Sequence, residues 1–491
     1  MNLTPPVNVL RFPTTMPNMS SKKSCANWSE KLPRASRKVR VRGREGELER
    51  GGDAKDLSLS LLVSPSQSLG SLTKISFVTF PVWFRLRRVG ITLFWVFFLP
   101  SAAFAQTAVE DEANVVDLHN RRHAGPLKQL SKDFLTLGHR PRHKFETSEL
   151  LRLTFLKRRR RSVLDGSFLF LDNDDRLAVQ PESMDDENLF AVWTKFPAWP
   201  KLRIPLETIR GMIFENHSAG RRVVTALLEL RNKNDTVILK NGDRVNGELL
   251  TIQAGSLSLE GVVGKIQIER SAVRGVALNS ELISFPKVVG KRVLLTLSDG
   301  SRLTATDVSL QANGLISVDA AFGGKLKFPV SDVISLQFLG GRAVYVSDLE
   351  PVEYRFTPFL ATRWSLRNDH NVTGGPLRLR GREFAKGLGM HSQSTVSYVL
   401  DQRYQQFQAT VGIDDSTAGQ GSATFAVEVD EKRVFTSDSL TGNSAPLLLP
   451  PIDVTGGRRL TLIVGFGQFG DIQDHANWCD ALLIRQSGGR D

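Results

Sequence analysis

The sequence predicts an all-β protein in which a C-terminal β-sandwich of the jelly-roll type follows two or three small β-barrel repeats. Short apolar segments in the last third are separated by Gly, Asp and Ser turns, which is typical of a sandwich. Upstream, a hairpin motif recurs at roughly 58–68 residues, as expected for a repeated small barrel. No segment has the alternating βα pattern of a barrel hydrolase.

The predicted sandwich occupies residues 344–488. Its most informative segments are Lys386-Gly-Leu-Gly-Met-His391 at one end and Asp474-His-Ala-Asn-Trp-Cys-Asp480 at the other. Between them, apolar residues alternate with others along segment 421–430, which predicts a strand with one buried face.

The repeats are predicted from a shared order of residues. Segments 170–177, 239–245 and 297–303 each contain an apolar strand, an Asn/Asp/Gly turn, an arginine and another apolar residue. Each has a matching closing segment some 30 residues later. We therefore expect a degenerate first repeat at 161–218, a second at 224–280 and a third at 288–340, reminiscent of SH3-like or Sm-like barrels, and a linker at 106–160.

The turn chemistry supports the hairpins, since Asn241-Gly242 and Asp299-Gly300 supply the positive φ angles of two-residue turns. The equivalent arginines of the three repeats are Arg176, Arg244 and Arg302. They could line an anionic groove, but repeat geometry alone explains their recurrence, so we expect them to face solvent. The basic run Lys157–Arg161 is likewise interpreted as a solvated loop rather than a docking patch.

The net charge of +13 is concentrated at the N-terminus, where residues 1–105 hold 16 basic and 6 acidic side chains. Nucleic acid is therefore not an expected partner. A basic flank, an apolar core and the ending Ala103-Phe-Ala105 predict a signal peptide at 82–105, cleaved near Ala105, and hence a secreted, periplasmic or envelope protein without a stable membrane span. The alternatives are an uncleaved anchor or a buried strand. Residues 1–81 are interpreted as a disordered basic extension or a wrongly assigned start.

The ordered motifs from Tyr345 to Gln486 resemble a family described as a novel carbohydrate-binding module, which is linked to glycoside hydrolases of the galactosidase and blood-group-cleaving kind. The resemblance implies a galactose-binding-like jelly roll that binds carbohydrate, with galactose-containing glycans as expected ligands. It covers the C-terminal domain and implies binding rather than catalysis. Cys479 stands where the family pattern usually has a small residue such as Ala, so the resemblance also implies that this cysteine packs in the interior.

Sugar binding needs an aromatic face for the ring and fixed polar groups for the hydroxyls. The domain offers candidates of both kinds, and many of them lie in predicted loops. The carbohydrate-binding candidates are Arg363, Trp364, His391, Asp474, His475 and Trp478. For Trp478 core packing is the alternative, and for His391, Asp474 and His475 a structural role is. Asp414, Asp415 and Asp480 are candidate ligands of a structural Ca²⁺, although no Asp-rich calcium loop is present.

No catalytic constellation is found: the sequence has no nucleophile elbow, no zinc-protease motif and no phosphate-binding loop. We therefore expect a non-catalytic carbohydrate-binding protein. The alternatives are a protein-interaction scaffold, a glycoside hydrolase with its active site between domains, and an anion- or nucleic-acid-binding repeat domain. The sequence does not indicate the oligomeric state.

Overall fold

The computed structural model describes residues 112–138, 143–155, 166–196, 199–216, 229, 233–359, 362–468 and 470–486. All described residues belong to one compact unit, which lies within residues 100–491. The predicted N-terminal extension, the signal peptide with its cleavage site, and the run Lys157–Arg161 lie outside these residues. In the described part of the chain, no helix is long and apolar enough to cross a membrane.

The residues before the sandwich form four successive β-units, which we call the repeat body. In the second unit the second strand is interrupted at Ala178. The strands are β1 (Glu112–Asp117), β2 (Arg122–Leu130), β3 (Phe134–Leu137), β4 (His143–Glu146) and β5 (Leu150–Phe155) in the first unit; β6 (Gly166–Leu171), β7 (Arg176–Leu177), β8 (Val179–Met184), β9 (Asn188–Trp193), β10 (Leu202–Pro205) and β11 (Ile209–Asn216) in the second; β12 (Asp235–Leu239), β13 (Arg244–Ile252), β14 (Ser256–Gly261), β15 (Gly264–Glu269) and β16 (Val273–Ala277) in the third; and β17 (Arg292–Leu297), β18 (Arg302–Leu310), β19 (Leu315–Ala320), β20 (Lys325–Pro329) and β21 (Val333–Leu339) in the fourth.

All four units share one pairing scheme. The first strand of each unit pairs antiparallel with both its second and its last strand. A three-residue 3₁₀ turn precedes the last strand in every unit: Thr147–Glu149, Leu206–Thr208, Arg270–Ala272 and Val330–Asp332. This common plan explains the sequence repeat, because the same hairpins and the same closing turn recur.

The expected linker at 106–160 is wrong for residues 112–155, which form the first of these units. Its closing segment, Phe145-Glu-Thr-Ser-Glu-Leu150, has the same order of apolar residues as Phe328-Pro-Val-Ser-Asp-Val333 in the fourth unit. The charged residues around it obscured the pattern. Val115 and Leu153 are fully buried, so this unit has an interior like the others.

The four units share a continuous apolar core. Strands of different units also pair directly, since β11 pairs with β16, β21 with β5 and β18 with β7. Trp193 is 1% exposed and meets Phe328 edge-on at 5.6 Å between ring centroids. Trp199 lies 5.8 Å from the same phenyl ring. Both tryptophans therefore pack in the repeat body.

The C-terminal residues form a two-sheet antiparallel sandwich, which confirms the predicted all-β fold class. One sheet has the order β24-β27-β36-β29-β33, with β22 added beside β36 and β34 beside β29; the other has the order β23-β28-β35-β30-β31, with β32 beside β30. The strands are β22 (Ala343–Tyr345), β23 (Glu353–Phe356), β24 (Arg367–Asn368), β25 (Leu377–Leu379), β26 (Arg382–Phe384), β27 (Gly387–His391), β28 (Ser394–Val399), β29 (Tyr404–Ile413), β30 (Ser422–Val429), β31 (Lys432–Thr436), β32 (Leu440–Thr441), β33 (Leu447–Leu448), β34 (Ile452–Asp453), β35 (Arg459–Phe466) and β36 (His475–Arg485).

Large aromatic side chains fill the space between the two sheets. Trp478 has no exposed surface and meets Phe425 edge-on at 5.4 Å, with Phe407 at 6.5 Å. Cys479 is also fully buried, and burial raises the pKa of its thiol well above the ordinary value. The cysteine is therefore a neutral packing residue, as the sequence predicts.

The sandwich is joined to the repeat body by buried polar and apolar contacts. A small apolar cluster contains Leu151 and Leu294 from the repeat body and Leu482 and Ile484 from β36. The Arg176 guanidinium donates to Glu383 in the sandwich at 2.9 Å. Fixing two bodies through a shared core leaves little freedom for relative motion.

The expectation that the repeat arginines face solvent is only partly met. Arg176 is 7% exposed, and its Nε also donates to the carbonyl of Gly300. Arg302 is half-buried and donates to the carbonyl of Asp174. Only Arg244 is exposed. The register pairs Arg302 with Arg176 across the two units, which turns these two inward.

Candidate functional site

Two histidines meet at one end of the sandwich because of the register between β27 and β36. His391 is the direct partner of His475 in this ladder, so both imidazoles lie on the same face. Their ring centroids are 5.9 Å apart. The glycines before His391 belong to strand β27 rather than to a turn. Gly389 is required there, because a Cβ would lie 2.4 Å from the carbonyl oxygen of His370.

Trp364 completes an aromatic cluster with these histidines. Its indole stacks parallel to the His391 ring, with 4.8 Å between centroids and 3° between planes. His475 lies at 5.7 Å and 59° from the indole. Phe356 meets His391 edge-on from the other sheet. His391 is 3% exposed and Trp364 is half-buried, so the histidine packs against the inner face of the indole ring.

The hydrogen bonds fix the roles of the imidazole nitrogens. The Nδ1 of His391 lies 2.8 Å from the carbonyl oxygen of Ser392, which can only accept, so this nitrogen carries the proton. The Nδ1 of His475 lies 3.2 Å from the Ser416 hydroxyl. Burial and the neighbouring His391 lower the pKa of His475, which is therefore neutral at neutral pH. A neutral imidazole offers one donor and one acceptor.

The other predicted sugar ligands are placed differently. Asp474 has no exposed surface, and its carboxylate accepts from the Ser392 hydroxyl and the backbone N–H of Ser422. Burial raises the pKa of Asp474. The prediction that Asp474 and Trp478 contact a sugar directly is therefore wrong, since both side chains lie in the interior. For Trp478 the core-packing alternative holds. Arg363 is exposed next to Trp364.

The predicted calcium ligands do not fit a shared metal site. Asp414 is buried and accepts four hydrogen bonds, from the amides of Asn371 and Asn477 and from the backbone N–H groups of Arg378 and Ser416. N–H donors saturate this carboxylate, so it has no lone pair left for a cation.

The two other carboxylates are also engaged. Asp415 accepts from the backbone N–H groups of Arg380 and Gly381, each at 2.7 Å. Asp480 accepts from Arg152 at 2.7 Å. Among the described residues, no three His, Cys, Asp or Glu side chains come close enough to hold a metal ion. The calcium prediction is therefore not supported by the donor set, and Asp414 instead ties the loops around the aromatic cluster together.

Sequence reasoning missed Ser416 and Phe356 as neighbours of the cluster. Ser416 could have been found, because it lies in the short turn Asp415–Thr417, which is capped by Asp414, whose side chain accepts from the Ser416 N–H. Phe356 gives no such signal, since a phenylalanine in a strand is usually a core residue.

A cleft with a volume of about 1790 Å³ lies between the repeat body and the sandwich. Its walls include Arg122 and Arg152 from the first unit, and Arg382 and Asp480 from the sandwich. His475 and Ser416 line its margin. The aromatic cluster and the cleft therefore meet at His475.

Comparison with known proteins agrees with this description of the C-terminal region. Residues 342–484 match the model of the NPCBM/NEW2 domain. A Renibacterium salmoninarum protein named for endo-alpha-N-acetylgalactosaminidase activity is 30% identical over 111 residues, which cover 23% of this chain and 7% of the relative. The alpha-1,3-galactosidase B of Akkermansia muciniphila is 25% identical over 127 residues, covering 25% of this chain and 16% of the relative. The chain thus spans a small part of both relatives.

Among solved structures, the CBM51 module of a Clostridium perfringens GH95 protein in complex with methyl-galactose is similar. It is 28% identical, the match covers 29% of this chain and 99% of the module, and the TM-score is 0.27. The tandem CBM51 modules of a Streptococcus pneumoniae family 98 glycoside hydrolase are 14% identical, with 76% of this chain and 88% of theirs covered and a TM-score of 0.27. By its family match and its sandwich fold, the C-terminal domain of this chain is a carbohydrate-binding-module-like domain of the NPCBM/NEW2 type.

Proposed function

We propose that this chain is a non-catalytic glycan-binding protein that holds a sugar at the cluster of Trp364, His391 and His475. The observation that carries the proposal is the parallel stack of Trp364 on a buried histidine, next to a half-buried neutral imidazole. A supported indole is a rigid apolar platform, and such surfaces bind at low entropic cost because few torsions must be fixed.

The polar groups around the platform suit sugar hydroxyls. His475 can donate with one ring nitrogen and accept with the other, while Ser416 can do both. The exposed guanidinium of Arg363 lies beside the platform in sequence and stays a proposed ligand. A site built on directional hydrogen bonds rejects a sugar that leaves one of them unpaired, because a buried unpaired group costs about 1–3 kcal/mol.

We further propose galactose-containing glycans as the ligands. The support is the family match together with the names of the relatives, which include an alpha-1,3-galactosidase and a module in complex with methyl-galactose. A glycan carrying many such sugars lies outside the cell, so this function also favours the secreted location that the N-terminal signal predicts.

Carboxylate geometry favours binding over hydrolysis. Glycoside hydrolysis commonly uses a pair of carboxyl groups that face the scissile bond. Near the cluster, Asp474 and Asp414 are buried and saturated by hydrogen bonds. In the cleft, burial raises the pKa of Asp175 to about 6, but its carboxylate is inaccessible and accepts from Thr304 and Asn173. None of these groups is placed to reach a substrate.

Titration calorimetry of the full chain tests the proposal, with methyl-galactose, lactose and N-acetylglucosamine as ligands and with Ca²⁺ or a chelator present. We expect saturable binding of a galactoside that does not depend on Ca²⁺. Trp364→Ala should weaken it about 5- to 30-fold, since loss of an aromatic anchor costs about 1–2 kcal/mol. Phe134→Ala, which removes an aromatic side chain 41% exposed on the repeat body, is the matched control.

A folded chain that binds none of these sugars, or a Trp364→Ala variant that binds as tightly as the control, would contradict the proposal. The first result would favour a protein-interaction scaffold. Hydrolysis of an aryl galactoside by the purified chain would instead favour the hydrolase alternative.

A further inference from the structure

A row of polar side chains on the repeat body faces the cleft. Val116 of β1 pairs with Arg122 on one side and with Arg152 on the other, so these three side chains point to the same face of the sheet. Gln337 of β21 extends the row beyond Arg152. The alternate face, which includes Leu153, is fully buried in the barrel. The row is therefore set by strand register and points out of the repeat body.

The sandwich adds one more arginine and one carboxylate to this row. Asp480 lies 2.7 Å from the Nη2 of Arg152 and 3.7 Å from the Nη2 of Arg382. Within the described residues, Arg122 forms no salt bridge, and its side chain is exposed. Arg152 and Arg382 therefore share one carboxylate, and Arg122 adds a third cation to the row without pairing with it. Partial desolvation at the cleft wall and the nearby charges of Arg152 and Arg122 lower the pKa of Arg382, whose side chain is 53% exposed.

The same wall has polar atoms without protein partners. The Nε of Arg152 and the Oδ1 of Asn114 are buried and have no hydrogen-bond partner among the described residues. Asn114 lies two residues before Val116 on β1 and therefore on the same face. An unpaired buried donor and acceptor cost about 1–3 kcal/mol each. Both side chains line the cleft, and a small rotation that brings these atoms to its surface would let a ligand accept from the arginine and donate to the asparagine, which relieves both costs.

We propose that this end of the cleft, formed by Arg122, Arg152, Arg382 and Asn114, binds the anionic group of an acidic sugar. The anion, a carboxylate or a sulfate, lies against the arginines and receives charge-assisted hydrogen bonds. A hydroxyl of the same sugar donates to the Oδ1 of Asn114. This site is distinct from the aromatic cluster and does not rest on neutral sugar binding there.

The charge of the surroundings selects a single acidic sugar over a polyphosphate. The whole cleft is lined by as many carboxylates as arginines, so the excess of positive charge is local. A nucleic acid carries a charge on every residue and needs a continuous basic track. Beyond the arginine row, such a chain would meet carboxylates. The wall offers a short row of arginines beside the acceptor of Asn114, which suits a single anionic group with hydroxyls next to it.

The test uses the full chain and four probes of similar length: an oligogalacturonide, a sulfated galactan oligosaccharide without carboxylates, a neutral galactan oligosaccharide and a DNA oligonucleotide. We expect an acidic oligosaccharide to bind with an affinity that falls as salt rises. Arg122→Gln and Arg382→Gln should each weaken it about tenfold, since a hydrogen bond to a charged group contributes about that factor. Both side chains are exposed, so the variants should fold.

Arg244→Gln is the matched control, because it removes the equivalent charge from an exposed position outside the cleft. Galactan binding should be unaffected by the cleft variants. Preference for the carboxylated or the sulfated probe identifies the anion. The proposal is overturned if neither acidic oligosaccharide binds, if both cleft variants bind like the control, or if DNA binds as tightly through the same arginines. Trp364→Ala separates the two sites. It should weaken galactoside binding but leave the binding of the acidic oligosaccharide, and its loss in the arginine variants, unchanged.

Discussion

The ion pair between Arg176 and Glu383 should stabilise the whole described body, because it joins the repeat body to the sandwich in a buried setting. The side chains of Arg176 and Glu383 are 8% and 9% exposed, and Arg378, which shares the carboxylate at 3.1 Å, is 17% exposed. Removing the carboxylate leaves two guanidinium groups without a counter-charge. Breaking one partner of a buried pair costs about 3–5 kcal/mol, and partial access of water to Arg378 favours the lower value.

We therefore expect Glu383→Gln to lower the free energy of unfolding by about 3 kcal/mol, which for a body of this size lowers Tm by roughly 4 °C. Scanning calorimetry measures the shift and also shows whether the repeat body and the sandwich unfold together. Adding Arg176→Met should recover part of the loss, because one uncompensated charge is removed with it. Asp319→Asn, which breaks the exposed pair with Lys325, is the control and should cost less than about 1 kcal/mol. A shift for Glu383→Gln no larger than this control would refute the reasoning.

Three further predictions concern the sandwich. Asp414→Ala should cost at least about 3 kcal/mol in urea unfolding, because four N–H donors lose their acceptor, and a loss like that of the exposed Asp415→Ala would contradict this. Trp478→Ala should cost about 3–5 kcal/mol by the same measurement as a core truncation, and selective loss of sugar binding at unchanged stability would instead identify a ligand. Galactoside affinity should be constant above pH 6.5, the ordinary pKa of histidine. It should fall as the pH drops through the lowered pKa of His475, because the protonated imidazole can no longer accept a hydrogen bond from the sugar and the stability that the neutral form contributes is lost. Calorimetry from roughly pH 5 to 8 measures this, and His475→Gln should flatten the profile.

Local turn chemistry made most of the fold predictable from the sequence. The hairpins around Asn241-Gly242 and Asp299-Gly300 form as expected, but the prediction of two-residue turns is wrong. Only the glycine of each turn has a positive φ, and the Leu239 N–H donates to the Asp243 carbonyl as the Leu297 N–H does to the Ser301 carbonyl, so each loop has three residues. The unit at residues 112–155 was missed because charged residues around its closing segment obscured the apolar order that it shares with the fourth unit. Its fold depends on strand pairing with β21, which no local pattern reveals.

The candidate site was predictable only in part. His391 and His475 are brought together by the register of two strands far apart in sequence, and Trp364 reaches them from the segment between β23 and β24; composition could not give that register. Asp474 and Trp478 were assigned to the ligand because polar and aromatic residues near loops often bind sugars. Their burial follows from the two-sheet core, where each fills a position that faces inward. Position in the sequence therefore could not distinguish a residue that contacts the sugar from a residue that only supports the site.

The fixed placement of the sandwich on the repeat body bears on how a glycan would bind. Arg152 with Asp480, Gln408 with the carbonyl of Leu118, and the shared apolar cluster hold the cleft walls before any ligand arrives. A preformed cleft avoids the entropic cost of ordering two bodies during binding. His475 belongs to both the aromatic cluster and the cleft margin. A glycan held by its terminal sugar at Trp364 can therefore extend past His475 into the cleft, where a second contact is intramolecular and adds to affinity without a second encounter.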